Sequence, residues 1–329
     1  MKNKIIKLLK ENKNNFISGQ DISNKLGVSR TAIWKGINQL KEEGYEIESV
    51  SRKGYKLIQI PDILNYEEIK EYLNTKYIGR NINYFETIDS TNIKAKELAL
   101  QGEKEGTVII SEEQTLGKGR LGRGWASPKY KGIWMSLILK PNIDIMKAPK
   151  ITQIGAAAIV KALREMNIKS FVKWPNDIVL NNKKICGILT EMSGELNRIS
   201  YVIMGIGINV NINKEDFSEE IRAVATSLKE EVGHKISRKE LVGKVLNNFE
   251  YLYYKFVNEE NFKETIDICK SHSALIGKQI KVINNKSTKI AKAVDLNDEG
   301  ELVVQYENGD MEYLVSGEVS TRGLYGYVD

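Results

Sequence analysis

The segment that most constrains this chain runs from Gly117 to Trp125 and reads Gly-Lys-Gly-Arg-Leu-Gly-Arg-Gly-Trp. It contains GxGxxG, which as a dinucleotide fingerprint requires a strand directly before it and a helix directly after it. Here Arg123-Gly-Trp-Ala-Ser-Pro follows, and Gly124 and Pro128 both oppose a helix. A doubly wound dinucleotide fold is therefore excluded by context, and the P-loop pattern is absent. What remains is four glycines alternating with Lys118, Arg120 and Arg123. Such a loop can bring backbone N–H groups and three cations against phosphate oxygens. A basic surface turn is the plain alternative, and Trp125, able to stack on a purine, argues against it.

The chain has 329 residues, enough for two or three domains, and its 41% hydrophobic and 28% charged composition is that of a folded protein. No apolar run approaches the roughly 18 residues of a membrane span. The opening Met1-Lys-Asn-Lys-Ile-Ile-Lys interleaves charge with apolar residues, unlike a signal peptide, so a cytoplasmic protein without a membrane partner is expected. Cys186 and Cys269 lie far apart without metal-ligand spacing and read as reduced, buried small hydrophobes. With only His234 and His272 available, a histidine triad or histidine metal site has little to build on, so chemistry falls to carboxylates, lysines, arginines and backbone.

Charge is unevenly placed. Residues 1–60 hold ten Lys and two Arg against one Asp and five Glu, a surplus equal to the +6 of the whole chain. The remainder is neutral, so the first segment alone is suited to a polyanion. Its pattern says which one. After a stripe of Ile5, Ile6, Leu8 and Leu9, Ile22 and Leu26 mark one short helix, and Ile33, Ile37 and Leu40 mark another. Gly27 supplies the turn between them and Ser29 the N-cap of the second. Gly44 ends that helix, and strands over 45–50 and 55–60 flank a basic hairpin, Ser51-Arg-Lys-Gly. This is a winged helix-turn-helix, and its second helix enters the major groove. Arg30, Thr31, Trp34, Lys35 and Asn38 face the bases, and Arg52 and Lys53 meet phosphate or the minor groove. A winged helix used for protein contacts is the alternative.

Beyond a linker at Pro61, the spacing predicts helices over 66–73, 93–101 and 151–166, with more in 215–265. Strands are expected near 83–85, 107–111, 132–139, 171–173, 178–180, 185–191 and 201–210. Several strands in succession favour an α+β mixed sheet over a strictly parallel one. Three further segments look chemically loaded: Val172-Lys-Trp-Pro-Asn-Asp, Lys183-Lys-Ile-Cys-Gly-Ile-Leu and Gly205-Ile-Gly-Ile-Asn. Strands over 277–284, 290–295, 302–307 and 311–315, with an Asn308-Gly turn, suggest a small C-terminal barrel. The expected domains are 1–63, 66–270 and 271–329.

Asp89-Ser-Thr-Asn, Gln114, GKGRLGRGW, KWPND, KKICGIL and GIGIN, in this order, resemble the signature series of biotin–protein ligases. With the basic winged helix ahead of them, the chain is similar to the bifunctional biotin operon repressors over essentially its whole length. The resemblance implies a core related to class II aminoacyl-tRNA synthetases and an SH3-like C-terminal barrel. It implies that Ser90, Thr91, Gln114 and the backbone of Gly187 and Leu189 hold the biotin ring, with Asn92, Gly205 and Gly207 in the same site. Lys118, Gly119 and Arg120 would close over the carboxylate and the adenylate phosphate, with Arg123 beside them. Lys184 would contact the reacting groups near Lys173, Asn176 and Asp177, while Trp125 and Asn209 frame the adenine. Arg322 reaches the nucleotide if the barrel packs on the core. The family loop usually reads GRGR, and Lys118 stands where its first arginine is expected, keeping the charge without the bidentate fork.

The implied reaction joins biotin and ATP into biotinyl-5′-adenylate, then transfers biotin to a lysine of a biotin carboxyl carrier protein domain. Arg120, Lys184, Lys173 and Mg²⁺ suit the charge that builds up between two anions, although no metal ligands can be named. Asp177 stands either as general base for the acceptor amine or as an orienting group for a lysine or Mg²⁺. Adenylate ordering of the loop is expected to promote a homodimer that binds an inverted-repeat operator. The alternatives are a lipoate or octanoate ligase on a similar core, and a ligand-sensing transcription factor without ligase activity.

Overall fold

A computed structural model of the chain describes every residue except 13–14, 43, 196–197, 285–286 and 317–318. The described residues form two compact units, Met1–Ile63 and Leu64–Asp329.

The first unit has helices α1 (Lys2–Glu11), α2 (Gly19–Leu26) and α3 (Arg30–Glu42), then the antiparallel strands β1 (Glu46–Val50) and β2 (Gly54–Gln59). Ser18 caps α2 by accepting from the Asp21 N–H at 3.0 Å, and Gly27 ends it in the left-handed region at φ 65°. Ser29 accepts from the Ala32 N–H at 3.2 Å, the cap expected for α3. The apolar stripe Ile33, Ile37 and Leu40 is buried against Ile5, Ile6, Leu9 and Ile22. Gly54 carries φ +107°, and a Cβ there would sit 2.1 Å from the Ile17 carbonyl, so the wing can return against Ile17 only through a glycine.

The second unit is built on a seven-stranded mixed sheet. In chain order its elements begin with α4 (Tyr66–Ile69), β3 (Ile82–Phe85), α5 (Thr91–Leu100), β4 (Val108–Ser111) and β5 (Gly132–Leu139). There follow α6 (Lys150–Glu165), β6 (Phe171–Lys173), β7 (Asp177–Leu180), β8 (Lys183–Glu195) and β9 (Arg198–Asn209). The sheet order is β3-β4-β5-β9-β8-β7-β6, parallel between β3 and β4 and antiparallel elsewhere. The helix expected over 66–73 is split: α4 gives way to a 3₁₀ turn over Lys70–Tyr72, within reach of the Asn247 side chain, whose Nδ2 donates to the Tyr72 carbonyl. The helical content expected in 215–265 resolves into α7 (Glu219–Arg222), α8 (Leu228–Val232) and the long α9 (Arg238–Asn258), followed by α10 (Lys263–Ser271).

Helix α6 shows why its small-residue patch exists. Gly155, Ala156, Ala157 and Ala158 are all buried, and a Cβ on Gly155 would lie 2.8 Å from Met204 Sδ and 3.3 Å from Ile188 Cδ1. The helix therefore rests directly on β8 and β9, while Ile151, Ile154, Ile159 and Leu163 are buried with it. Each such aliphatic contributes roughly 1.5–3 kcal/mol by leaving water. A fully buried pair, Glu112 and Arg238 at 2.7 Å, ties β4 to the start of α9, and Glu112 also accepts from the Leu64 N–H at 2.8 Å.

The same unit ends in a five-stranded antiparallel sheet of β10 (Gln279–Ile283), β11 (Thr288–Leu296), β12 (Leu302–Gln305), β13 (Met311–Leu314) and β14 (Ser320–Gly323). Four of these strands were expected. The fifth, β14, pairs with β10 and carries Arg322 opposite Lys281. No helix among the described residues is long and apolar enough to cross a membrane.

Candidate active site

The loaded segments converge because β8 and β9 are neighbours. Gly187 pairs with Gly207 and Leu189 with Gly205 across the two strands, which lays a strip of bare backbone along one face of the sheet. Trp125 lies on that strip: a Cβ on Gly207 would be 2.6 Å from its Nε1, and one on Gly187 3.0 Å from its Cζ3. The sequence reading put this indole against adenine, whereas the structure seats it over the glycines assigned to biotin, with its Nε1 buried and without a hydrogen-bond partner. Phe217 and Trp134 pack nearby.

The glycine loop is folded back on itself. Trp125 N–H donates to the Gly117 carbonyl at 2.9 Å and Gly119 N–H to the Arg123 carbonyl at 2.7 Å. Leu121 and Gly122 make the tip in the left-handed region, at φ 57° and 71°. Lys118 and Arg123 stay exposed, while Arg120 turns inward and its Nη1 donates to Asn176 Oδ1 at 2.9 Å. Burial lowers the Arg120 pKa, against the opposing pull of Asp177.

At the far side of the strip, α5 begins with a polar knot. Gln114 Oε1 accepts from the Thr91 N–H at 2.8 Å and from Thr91 Oγ1 at 3.0 Å. Ser136 Oγ donates to Asn92 Oδ1 at 2.6 Å, and Asn92 Nδ2 donates to Glu191 Oε2 at 2.7 Å. Ser90, Thr91 and Asn92 are buried.

The cationic end is built by KWPND, whose Trp174–Pro175 peptide is cis. Asn176 is turned by its Nδ2 bond to the Ile188 carbonyl at 2.9 Å. Asp177 is 6% exposed and meets Lys184 Nζ at 2.6 Å. Burial alone would raise the Asp177 pKa, but Lys184 and Lys173 outweigh it and hold the carboxyl below the usual range. It therefore stays ionised and paired, which makes it a poor general base. Lys173 is 2% exposed, donates to the Thr321 carbonyl at 2.9 Å, and is pulled down to about 7 by burial. Asn209 donates to the Thr226 carbonyl at 3.0 Å.

All of the catalytic, biotin-binding and nucleotide-binding residues named from sequence line a single cavity of about 350 Å³, Arg322 among them. The sequence reading missed Tyr327 and the Thr321 carbonyl, which reach the cavity from β14 and the chain beyond it. Among the described residues, Asp177 is the only acidic side chain on the lining and no cluster of three metal-ligating side chains occurs. That donor set does not fit a magnesium ion held by protein carboxylates.

The first unit offers a separate surface. Arg30, Thr31, Trp34 and Lys35 are exposed on α3, Asn38 is half-buried, and Arg52 and Lys53 are exposed on the wing. Trp34 is 56% exposed on the same face as Arg30 and Lys35.

Residues 84–209 match the Biotin/lipoate A/B protein ligase family, residues 2–56 an HTH domain, and residues 275–322 the Biotin protein ligase C terminal domain. The bifunctional ligase/repressor BirA of Bacillus subtilis is 42% identical over 306 residues, 93% of this chain and 94% of that protein. The chain belongs to the BirA family of bifunctional ligase/repressors. The Escherichia coli BirA is 27% identical over 93% of each chain. The biotin protein ligase of Aquifex aeolicus in complex with biotin and ATP superposes with a TM-score of 0.65 at 32% identity, covering 74% of this chain and 99% of that one.

Proposed function

We infer that this chain is an ATP-dependent biotin–protein ligase that also represses transcription through its winged helix. The observation that carries the ligase reading is the cavity itself, in which a polar knot at Ser90, Thr91, Asn92 and Gln114 faces a cationic end of Arg120, Lys173 and Lys184 across bare strand backbone. The knot suits the ureido ring and the glycine strip suits a flat, largely apolar bicycle. The cations suit the meeting of a carboxylate with an α-phosphate.

In the first step the biotin carboxylate attacks the α-phosphorus of ATP, and the bond to the pyrophosphate leaving group breaks. Arg120 and Lys184 supply charge where the oxygens become more negative, and Lys173 adds a third cation once an anion restores its proton. Asp177 acts as the counter-ion that aims Lys184. The carboxylate-poor lining leaves magnesium to travel with the nucleotide phosphates, and no step is assigned to it. In the second step the neutral acceptor amine attacks the acyl carbon, AMP leaves with the electron pair of the broken anhydride bond, and the proton shed by the nitrogen passes to solvent.

Trp125 and the loop of residues 117–125 close over the adenylate and exclude water from the mixed anhydride. Trp125, Arg123, Asn209 and Arg322 are read as the groups around the nucleotide, with the indole at the glycine strip where the two ligands meet. The core is read as class II aminoacyl-tRNA synthetase-like and the C-terminal sheet as an SH3-like barrel, with domains at 1–63, 66–270 and 271–329.

The acceptor is a lysine of a biotin carboxyl carrier domain, and the protein works in the cytoplasm. Ordering of the loop by adenylate promotes a homodimer, which presents two α3 helices to an inverted-repeat operator. Arg30, Thr31, Trp34, Lys35 and Asn38 read bases there, and Arg52 and Lys53 hold phosphate. Gel shift with such an operator tests the link. Biotin plus ATP should tighten binding, and an affinity unchanged by them would sink the repressor reading. A mass shift of one biotin on an apo carrier domain tests the transfer.

A further inference from the structure

We infer that Tyr327 is a positioning residue of the adenylation site, fixing Asp177 so that Lys184 is aimed at the reacting groups. This rests on the reading of the cavity as the site of adenylate formation.

Tyr327 lies beyond β14 and is 7% exposed. Its hydroxyl donates to Asp177 Oδ2, while the other oxygen of the same carboxylate, Oδ1, forms an ion pair with Lys184 Nζ at 2.6 Å. A lone Asp177 could rotate between Lys184 and the other cations around it. With one oxygen held by a hydroxyl, only one remains for a lysine, and it faces Lys184. The phenol does not ionise in this role, because burial and the neighbouring Asp177 both raise its pKa.

The ring has its own part. Lys173 Nζ lies 4.3 Å from its centroid and the Arg322 guanidinium carbon 4.8 Å. Arg120, Lys184 and Arg322, joined by Lys173 when it is protonated, crowd a cavity whose described lining residues offer one carboxylate. A second acid there would ease that crowding but would repel biotin and ATP. An aromatic face attracts cations without adding net negative charge, so the cations stay available to anionic ligands.

The segment carrying Tyr327 is a closed turn held by the Asp329 side chain. Asp329 Oδ1 accepts from the Gly326 N–H at 3.0 Å and the Tyr325 N–H at 3.2 Å, and Lys281 Nζ donates to the Leu324 carbonyl at 2.7 Å. Thr321 Oγ1 donates to the Trp174 carbonyl at 3.2 Å. The turn is thus fastened to the C-terminal sheet, which is fastened in turn to the KWPND segment.

The test is Tyr327→Phe in the full-length chain, read by biotin-dependent ATP–pyrophosphate exchange. The variant keeps the ring and its cations and removes only the hydroxyl. Loss of a hydrogen bond to a buried charged group predicts a kcat lower by about tenfold, with KM for biotin within about twofold and a melting temperature lower by a few degrees. In an Asp177→Asn background the same substitution should have no further effect, because the group being aimed is already altered. An unchanged kcat in Tyr327→Phe, or an equal further fall when it is added to Asp177→Asn, would overturn the inference. If the wild-type chain shows no biotin-dependent exchange, the adenylation reading itself fails and takes this one with it. A wild type that exchanges beside an unaffected variant overturns the role of Tyr327 alone.

Discussion

Replacing Gly205 by alanine places a methyl group in the polar knot beneath the proposed biotin site. The backbone at Gly205 is ordinary strand, so the cost is steric. The added Cβ would sit 2.1 Å from Asn92 Oδ1 and 2.8 Å from its Cγ. To reach an ordinary contact of 3.4 Å, Oδ1 must retreat by about 1.3 Å. Asn92 cannot do that and keep its bonds to Ser136, at 2.6 Å, and to Glu191, at 2.7 Å. Overpacking of this kind costs roughly 1–3 kcal/mol, and each disturbed hydrogen bond adds about 1 kcal/mol, so the net destabilisation should be about 3 kcal/mol. Urea denaturation of Gly205→Ala, Asn92→Ala and the double variant isolates the clash. Asn92→Ala alone should cost about 2 kcal/mol, and adding Gly205→Ala to it less than about 1 kcal/mol, because the colliding amide is gone. The two effects should therefore fall short of additivity by about 2 kcal/mol. Additivity within about 0.5 kcal/mol would refute the argument, since it would mean that the methyl group harms something other than Asn92.

Three further outcomes follow from the cationic end. Lys173 is lowered from its ordinary 10.5 to about 7 by burial, so at pH 8 it is mostly neutral in the ligand-free protein, and an arriving anion restores its charge. Binding of biotinyl-adenylate at pH 8 should therefore take up about 0.9 proton, read as a dependence of calorimetric enthalpy on buffer ionisation heat, and a buffer-independent enthalpy would exclude this. The sign for stability follows from the same shift: the unfolded chain holds this proton up to pH 10.5 and the folded one only to about 7. The ligand-free protein should therefore gain stability as pH rises through that window. Arg120→Gly cuts the tether from the glycine loop to Asn176, so adenylate should dissociate at least about tenfold faster and biotinylate lysines of bystander proteins. An unaltered off-rate would count against the clamp.

Much of this was legible in the sequence for identifiable reasons. The glycines of the β8–β9 strip are needed because an indole rests on them, so the need for close approach was written as Gly187 and Gly207. The winged helix was legible because its caps, Ser29 and Gly27, sit at the expected places. Three features escaped. Tyr327 shares a short turn with Tyr325, nothing local tells the two apart, and only the fold brings Tyr327 to Asp177. The pairing of Glu112 with Arg238 joins residues far apart in the chain, with no periodicity to announce it. The seat of Trp125 on Gly187 and Gly207 is set by strand pairing between β8 and β9, and residue type alone does not say that.

Adenylate formation is the claim on which the rest depends, and isotope exchange between pyrophosphate and ATP measures it without an acceptor protein. The exchange should require biotin, and lipoate or octanoate should not support it. Exchange supported by lipoate in place of biotin, or by neither acid, would contradict the account.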